Sequence, residues 1–322
     1  MASFYNLGDV REVKTLTNVA LGYTNPAYIS DRLATIVPVD KQSDKYRVYQ
    51  PENWVMEPGD DIRVPGTEAN EIPGYSLSRD TYYAQDHSLQ AAVTDEERQE
   101  AEDVTPYKDA TESVTDKILL GRELSLRNMA LDITNYAAGH STTLAGANQW
   151  TDPTSDPLGV VQAAHQAIHA KLFIQPNTLM VPYRVMWALK EHPQFIEKVK
   201  YSQLGVITPA LLSQFFEVPN IVVSEAGYNT ANRGQAASVS YLWDTDVVAA
   251  YVAPRMTKNE PTFISEFNWK HPNGKIMLTD AWREDNRKSD VVRTSRRYDH
   301  KFASIDGTGK SIAGYLIKDA IA

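Results

Sequence analysis

Three stretches of this 322-residue chain carry residue types whose spacing could do chemistry. The run DGTGKS, Asp306 to Ser311, finishes as a phosphate-binding loop finishes. Such a loop reads G-x-x-x-x-G-K-[ST] and cradles phosphate oxygens with its backbone N–H groups. Counting back from Gly309 puts its first glycine at position 304, which is Ser304, and eleven residues follow Ser311, too few for the helix and sheet the motif needs. A tight turn between two strands accounts better for Asp306-Gly307. His165 and His169 stand four apart on an expected helix and share a face, which is metal-ligand spacing. Yet Gln166 stands where a zinc protease has glutamate, and no third ligand is evident, so a metal-dependent enzyme built on this pair is the weaker reading. Arg283, Arg287, Lys288, Arg293, Arg296 and Arg297 make a basic run with Glu284, Asp285 and Asp290 interleaved. Mixed signs weaken a nucleic-acid reading. Alternating charge along a strand is a solvated face or a set of ion pairs, and pairing between subunits is preferred here. There is no G-x-S-x-G elbow and no dinucleotide fingerprint. The pair Glu96-Glu97 belongs to a helix cap. No catalytic residue, metal site or cofactor is expected.

The composition narrows the classes further. Apolar residues are 42% and charged residues 23%, as in a folded globular chain and unlike a disordered one. A net charge of −9 opposes a general grip on nucleic acid, which works by neutralising phosphates. The absence of cysteine removes disulfides and thiolate chemistry and fits folding in a reducing cytoplasm. No signal peptide is evident at the N-terminus, and no window approaches the ~20 apolar residues a bilayer span needs.

The elements that would position these residues follow from pattern. Residues 1–40 read as an extended arm with one short helix near Asn25–Leu33. Residues 41–93 read as a long two-stranded excursion whose middle is rich in Pro and Gly. Such a hairpin is marginal alone in water, so it must lie on its own domain or on a neighbour. Thr94 to Glu97 is a capping box. From Thr105-Pro106 to Ala138 the apolar spacing predicts one long helix, about 45 Å at ~1.5 Å per residue. Asp156-Pro157 starts a helix through about Lys171; 177–182 is a buried strand. Helices over 183–192, 193–201 and from Thr208-Pro209 precede a strand in NIVVSEA. GYNTANRGQ is a turn or flap, and 238–254 is apolar and β-rich. From 262 to 322 strands dominate, with DVVRTSRRYDHKFAS the longest.

In that order the elements resemble the major capsid protein of tailed bacteriophages, an α+β chain of the Hong Kong 97-like fold. The residues that carry the resemblance are LTNVALGYTNPAYISDRLATIVPVDKQSDKYRVY (16–49), HSLQAAVTDEERQEA (87–101), TDKILLGRELSLRNMALDI (115–133), NTLMVPYRVMWALKEHPQFIEKVKY and VITPALLSQFFEVPNIVVSEA within 177–226, and WDTDVVAAYVAP (243–254). The resemblance covers nearly the whole chain, and its specificity lies in order and combination.

It implies an N-terminal arm (1–40), an extended loop lying across an adjacent subunit (41–93), a peripheral domain (94–140 and 262–322) with a spine helix over about 105–138, and an axial domain (141–261). It implies a structural protein of the virion, no enzyme, assembled in the host bacterial cytoplasm into an icosahedral head around double-stranded DNA. Its partners would be copies of itself in hexamers and pentamers, a separate scaffolding protein, a portal and a possible decoration protein, with DNA touched only non-specifically and no membrane. Trp54, Arg63 and Tyr75 in the loop, with Arg283, Arg287, Arg293, Arg296 and Arg297, are the candidates for contact between subunits. Some members fuse a scaffolding segment ahead of the arm; here the arm alone precedes the loop, so no N-terminal cleavage is expected. Some members crosslink a loop lysine to a neighbour. No lysine lies between Lys45 and Lys108, so a non-covalent shell is expected. An encapsulin-like compartment is the nearest alternative.

Overall fold

The chain was analysed as a computed structural model, which describes residues 11–50, 62, 66, 68, 78–100, 105–200, 207–232, 234–255 and 261–322. The N-terminal part is more structured than the expected arm. It holds β1 (Arg11–Glu12), α1 (Lys14–Gly22), α2 (Ser30–Leu33) and β2 (Ala34–Val39). The helix α1 escapes pattern reading because it buries little, chiefly Thr17 and Ala20, and its threonines are weak helix formers. Tertiary contact fixes it: the Thr17 hydroxyl donates to the Thr279 carbonyl and accepts the Thr279 N–H at 3.2 Å.

The base of the excursion is an antiparallel pair, β3 (Ser43–Arg47) with β4 (Arg79–Tyr83). It is anchored by a small core in which Tyr82 stacks on Phe267 at 4.5 Å beside Tyr46, Val37 and Val39. Trp54, Arg63 and Tyr75 lie outside the described residues.

After β5 (Gln85–Thr94) the capping box forms as expected: Glu97 accepts the Thr94 N–H at 3.0 Å, and Thr94 Oγ1 accepts the Glu97 N–H at 3.2 Å. It opens α3 (Asp95–Glu100). The long helix α4 (Thr105–Ala130) stops eight residues before Ala138. Asp132 accepts the Thr134 N–H and caps a 3₁₀ turn over Ile133–Asn135. The Tyr136 hydroxyl and the Asn135 amide then donate to the Ala130 and Met129 carbonyls, at 2.6 and 2.9 Å. Those carbonyls are otherwise orphaned at a helix end, so the stop is written in side chains beyond the helix.

The chain next makes β6 (Ser141–Thr143), α5 (Pro157–Leu172), β7 (Thr178–Pro182), α6 (Tyr183–Glu191), α7 (Pro193–Val199), α8 (Pro209–Phe215), β8 (Asn220–Ser224), β9 (Gly227–Asn229), β10 (Val239–Tyr241) and β11 (Val247–Ala250). Asp156 and Thr208 cap α5 and α8, accepting the Gly159 and Leu211 N–H at 3.0 and 3.3 Å, with Pro157 and Pro209 in the first turn. The flap is the hairpin β9–β10. The C-terminal part adds β12 (Ile264–Trp269), β13 (Met277–Glu284), β14 (Ser289–Phe302) and β15 (Gly314–Lys318).

Two sheets organise these elements. In the first, the order is β1-β13-β14-β12-β2, with β5 also on β14. Residues 289–296 of β14 pair with β13 and with β5 at once, so those two strands take opposite edges. Tyr298 pairs with both β12 and β5, so β12 follows β13 along one edge of this 14-residue strand. The second sheet has the order β6-β15-β11-β7-β8.

The last strand therefore departs from expectation. Residues 262–322 do not stay with the spine helix's sheet; β15 crosses to the other, where it lies between β6 and β11. GYLIK is a short apolar run without alternation, which suits a strand covered on both faces, and its first four residues are buried. Gly314 is required there, because a Cβ would overlap the Phe263 ring. One hydrophobic core joins the sheets, with Leu33 and Leu126 on one side and Leu179, Val248 and Leu316 on the other.

Candidate functional site

The sequence run from Asp306 to Ser311 is a closed turn. Asp306 Oδ1 accepts the N–H of Thr308 and of Lys310, both at 2.9 Å, and the Thr308 hydroxyl at 2.7 Å. Gly309 sits at φ +83°, and Ile305 bridges to Ser311. The Thr308 and Lys310 N–H groups are taken by the chain's own carboxylate, and strand rather than helix follows.

His165 and His169 do share a face of α5. They line a cleft of about 520 Å³ with Gln162, Gln166, Gln175 and Glu217. Burial pushes the His165 imidazole below its ordinary pKa, against a weaker upward pull from Glu217. Among the described residues no group of three His, Asp or Glu side chains could hold a metal ion.

The arginine run resolves into pairs inside the chain. Three are directly opposed across strands: Arg283 with Asp290, Arg293 with Asp280 at 2.7 Å, and Arg297 with Asp86 at 3.2 Å. Arg283 also forks onto Asp95 at 2.6 and 2.7 Å, tying β13 to the start of α3 and holding the Asp95 carboxyl below its usual range. Arg287 reaches Glu284 at 3.4 Å on the surface. Arg297 lies over the Trp269 ring and Arg293 over Trp282. Arg296 differs from the expected contact residue: it is buried in its own chain, its Nη2 2.8 Å from Glu266.

Arg296 belongs to a network that pattern reading missed. Glu266, fully buried on β12, receives Arg122 of α4 at 2.6 Å, Arg296 at 2.8 Å and the Asn268 amide at 2.8 Å. His300 Nε2 lies 3.3 Å away, and its Nδ1 meets the Ser125 hydroxyl at 3.2 Å. Arg122 continues to Asp31 at 2.7 Å, just after the start of α2. Burial alone would push the Glu266 carboxyl up; Arg122, Arg296 and His300 outweigh it and hold it well below the usual range. Burial depresses Arg296, with Glu266 opposing. Burial and then Glu266 push the Tyr298 phenol up to about 12.

Next along α4, the buried Glu123 ties three regions. It accepts the N–H of Ile29 and Ser30 at 3.2 and 2.9 Å, the Ser30 hydroxyl, and the Trp243 indole N–H at 2.9 Å. Two turns earlier Asp116 accepts from Tyr23, Asn25 and Tyr28 at 3.1–3.2 Å. Burial, then Asp116, raises the Tyr28 phenol. The signal was legible in principle: Glu266 stands alone in the apolar run around Phe263 and Phe267, and Arg122-Glu123 interrupts an apolar helix pattern. Each carboxylate is filled by donors of its own chain. These groups fasten the N-terminal segment and the stretch leading into β11 to α4.

Comparison with known proteins agrees with a structural role. No family model matches the chain. It is 30% identical over 285 residues to the major capsid protein of Burkholderia phage BcepMu, spanning 86% of this chain and 90% of that one. The chain belongs to the family of phage major capsid proteins. A solved phage-related protein from Bordetella bronchiseptica RB50 is 27% identical, covers 96% of this chain and 97% of its own, and has a TM-score of 0.76. An encapsulin from Synechococcus elongatus PCC 7942, at 10% identity over 97% of this chain and 91% of its own with a TM-score of 0.51, shares the fold alone. The architecture is Hong Kong 97-like. No helix among the described residues is long and apolar enough to cross a membrane.

Proposed function

We propose that this chain forms the wall of an icosahedral phage head enclosing double-stranded DNA, assembled in the host cytoplasm from hexamers and pentamers of itself. The observation that carries the reading is the similarity to a named major capsid protein along 86% of the chain. In this reading residues 41–93 reach from their anchored base across an adjacent copy, with Trp54, Arg63 and Tyr75 in the contact. Residues 141–261 meet their copies around the axes of each capsomer. The surface arginines Arg283, Arg287, Arg293 and Arg297 serve first as ties within the subunit and offer their remaining exposed edges to neighbours. A separate scaffolding protein and a portal complete the head, and a decoration protein is compatible with it. The net charge of −9 suits a wall along which packed DNA slides without adhesion.

The expressed chain should elute as megadalton particles, visible by negative stain; a small oligomer with enzymatic activity would sink the reading. An encapsulin-like compartment is favoured by one observation, the shared fold. Nuclease-protected DNA in particles from infected cells supports the head, and a protein cargo the compartment. With no lysine between Lys45 and Lys108 the shell is non-covalent, so boiled particles should run as a single 36.0 kDa band on a denaturing gel. A ladder of linked subunits would refute this.

A further inference from the structure

The outer face of α6 carries aromatic side chains that the fold does not use. Its inner face, Val185, Met186 and Leu189, is buried in the core. Tyr183 and Trp187, four apart and so on one face, are turned outward and meet edge to face at 6.1 Å. Tyr241 on β10 lies parallel to Tyr183 at 6.5 Å, and Val239 stands on the same face of that strand. The three rings remain 36%, 47% and 43% exposed. Lys190 Nζ sits 4.5 Å over the Trp187 ring, and Arg184 pairs with Asp244 at 2.7 Å along the rim. Tyrosine and tryptophan are the residues that anchor protein contacts, being large, stiff and amphipathic.

The charge of the rim selects the occupant. Arg184 is paired with Asp244, and the acidic Glu191 directly follows Lys190 at the end of α6. A face for DNA or an anionic lipid surface needs a basic excess, and this one has none. Two copies that each carry −9 repel unless they meet where charge is locally balanced and apolar. This aromatic, mixed-sign patch meets both conditions. We propose that the cluster of Tyr183, Trp187 and Tyr241 is a contact between adjacent copies of this chain in the assembled shell. The inference rests on the shell reading and adds to it a location, the α6 and β9–β10 corner of the second sheet, and a chemistry, aromatic packing within a neutral rim.

The test uses the full-length chain and two variants, Trp187→Ala and Trp187→Phe. Both should fold with unchanged circular dichroism, because Trp187 lies outside the core. Truncation to alanine should cut the yield of particles about tenfold or more, as loss of an interface anchor does, and phenylalanine should restore most of it. Peptide-resolved hydroxyl-radical footprinting should show Trp187 protected in particles and reactive in dissociated subunits. Equal reactivity in both states, or undiminished assembly of Trp187→Ala, would overturn the proposal while leaving the shell reading intact. So would protection seen only in particles that contain a second phage protein. If the wild-type chain makes no particles, the shell reading fails first, and this contact with it.

Discussion

The two sheets are held by different physics. Around β15, β11 and β7 the interior is apolar and nearly every strand residue is buried, so neighbours there need only fit. Around α4, β12 and β14 the interior carries charge: Arg122, Arg296 and Glu266 are each almost wholly buried, and both arginines are ion-paired to Glu266. Apolar packing is forgiving in identity and strict in volume. A buried ion network is strict in identity, since each member loses its hydration and depends on the others. The charged half also carries the anchored base of the 41–93 excursion and, through Glu123 and Asp116, the N-terminal segment. A subunit that must present an arm and a loop in fixed directions gains register from partners that cannot be exchanged.

The sharpest way to break this contrast is Glu266→Ala. It strands two buried guanidinium groups and should destabilise the subunit by about 3–5 kcal/mol, read as the midpoint of chemical denaturation. The triple variant Glu266→Met, Arg122→Met, Arg296→Met should recover most of that stability, because an apolar replacement removes the desolvation cost along with the attraction. If the single variant were as stable as wild type, the network would not be holding the charged half together. The apolar half should respond instead to volume. Gly314→Ala forces a methyl group against the Phe263 ring and should cost about 1–3 kcal/mol, the usual penalty of overpacking. Shrinking the ring in a Phe263→Leu, Gly314→Ala double variant should return part of it. No rescue would mean that the ring is not the obstacle.

The same contrast explains what could be read from the sequence. Elements announced by a cap and a proline were found almost to the residue, as with Asp156-Pro157 and Thr208-Pro209, because the signal lies within a few residues of chain. The strands β7, β8 and β11 of the second sheet are legible because each is a short apolar run, whereas β15 is not set apart from the other strands of 262–322. What failed was information held elsewhere. The stop of α4 is made by Asp132 and Tyr136 beyond the helix. The strand β2 contains Pro38, which is tolerated because β2 is an edge of its sheet. Arg296 looked like its exposed neighbours in an alternating run, and only the fold shows that its side of β14 faces Glu266. Among the candidate contact residues, the tie of Arg283 to Asp95 and Asp290 joins groups up to 188 residues apart in sequence. The cluster at Tyr183, Trp187 and Tyr241 needs the hairpin to come beside α6, which no local pattern announces.

The smallest expected effect, and the one that separates the halves by titration, is the response to acid. Burial lowers the pKa of four histidines: His87 and His271 in the half that holds α4, and His140 and His165 in the other. Each is flanked by few opposing charges, chiefly Asp86 for His87 and Glu217 for His165. A folded pKa below the unfolded value of about 6.5 means that the unfolded chain binds the proton first. The stability these groups contribute is therefore present above about pH 6.5 and is lost as pH falls through their lowered values. Glu266 has the same sign at a lower position, since its stabilisation is complete above the unfolded carboxyl value of about 4.3 and is lost only as pH falls towards its own depressed pKa. Between pH 7.5 and 5.5 the denaturation midpoint should thus fall modestly, and the His140→Gln, His165→Gln double variant should flatten part of that slope. Below about pH 4 hydrogen exchange should rise first in α4 and β12, where opening of the fold lets Glu266 take up a proton, before it rises in β15 and β7. A midpoint unchanged from pH 7.5 to 5.5, or exchange that begins in the apolar sheet on acidification below pH 4, would show that charge and packing do not divide the molecule in this way.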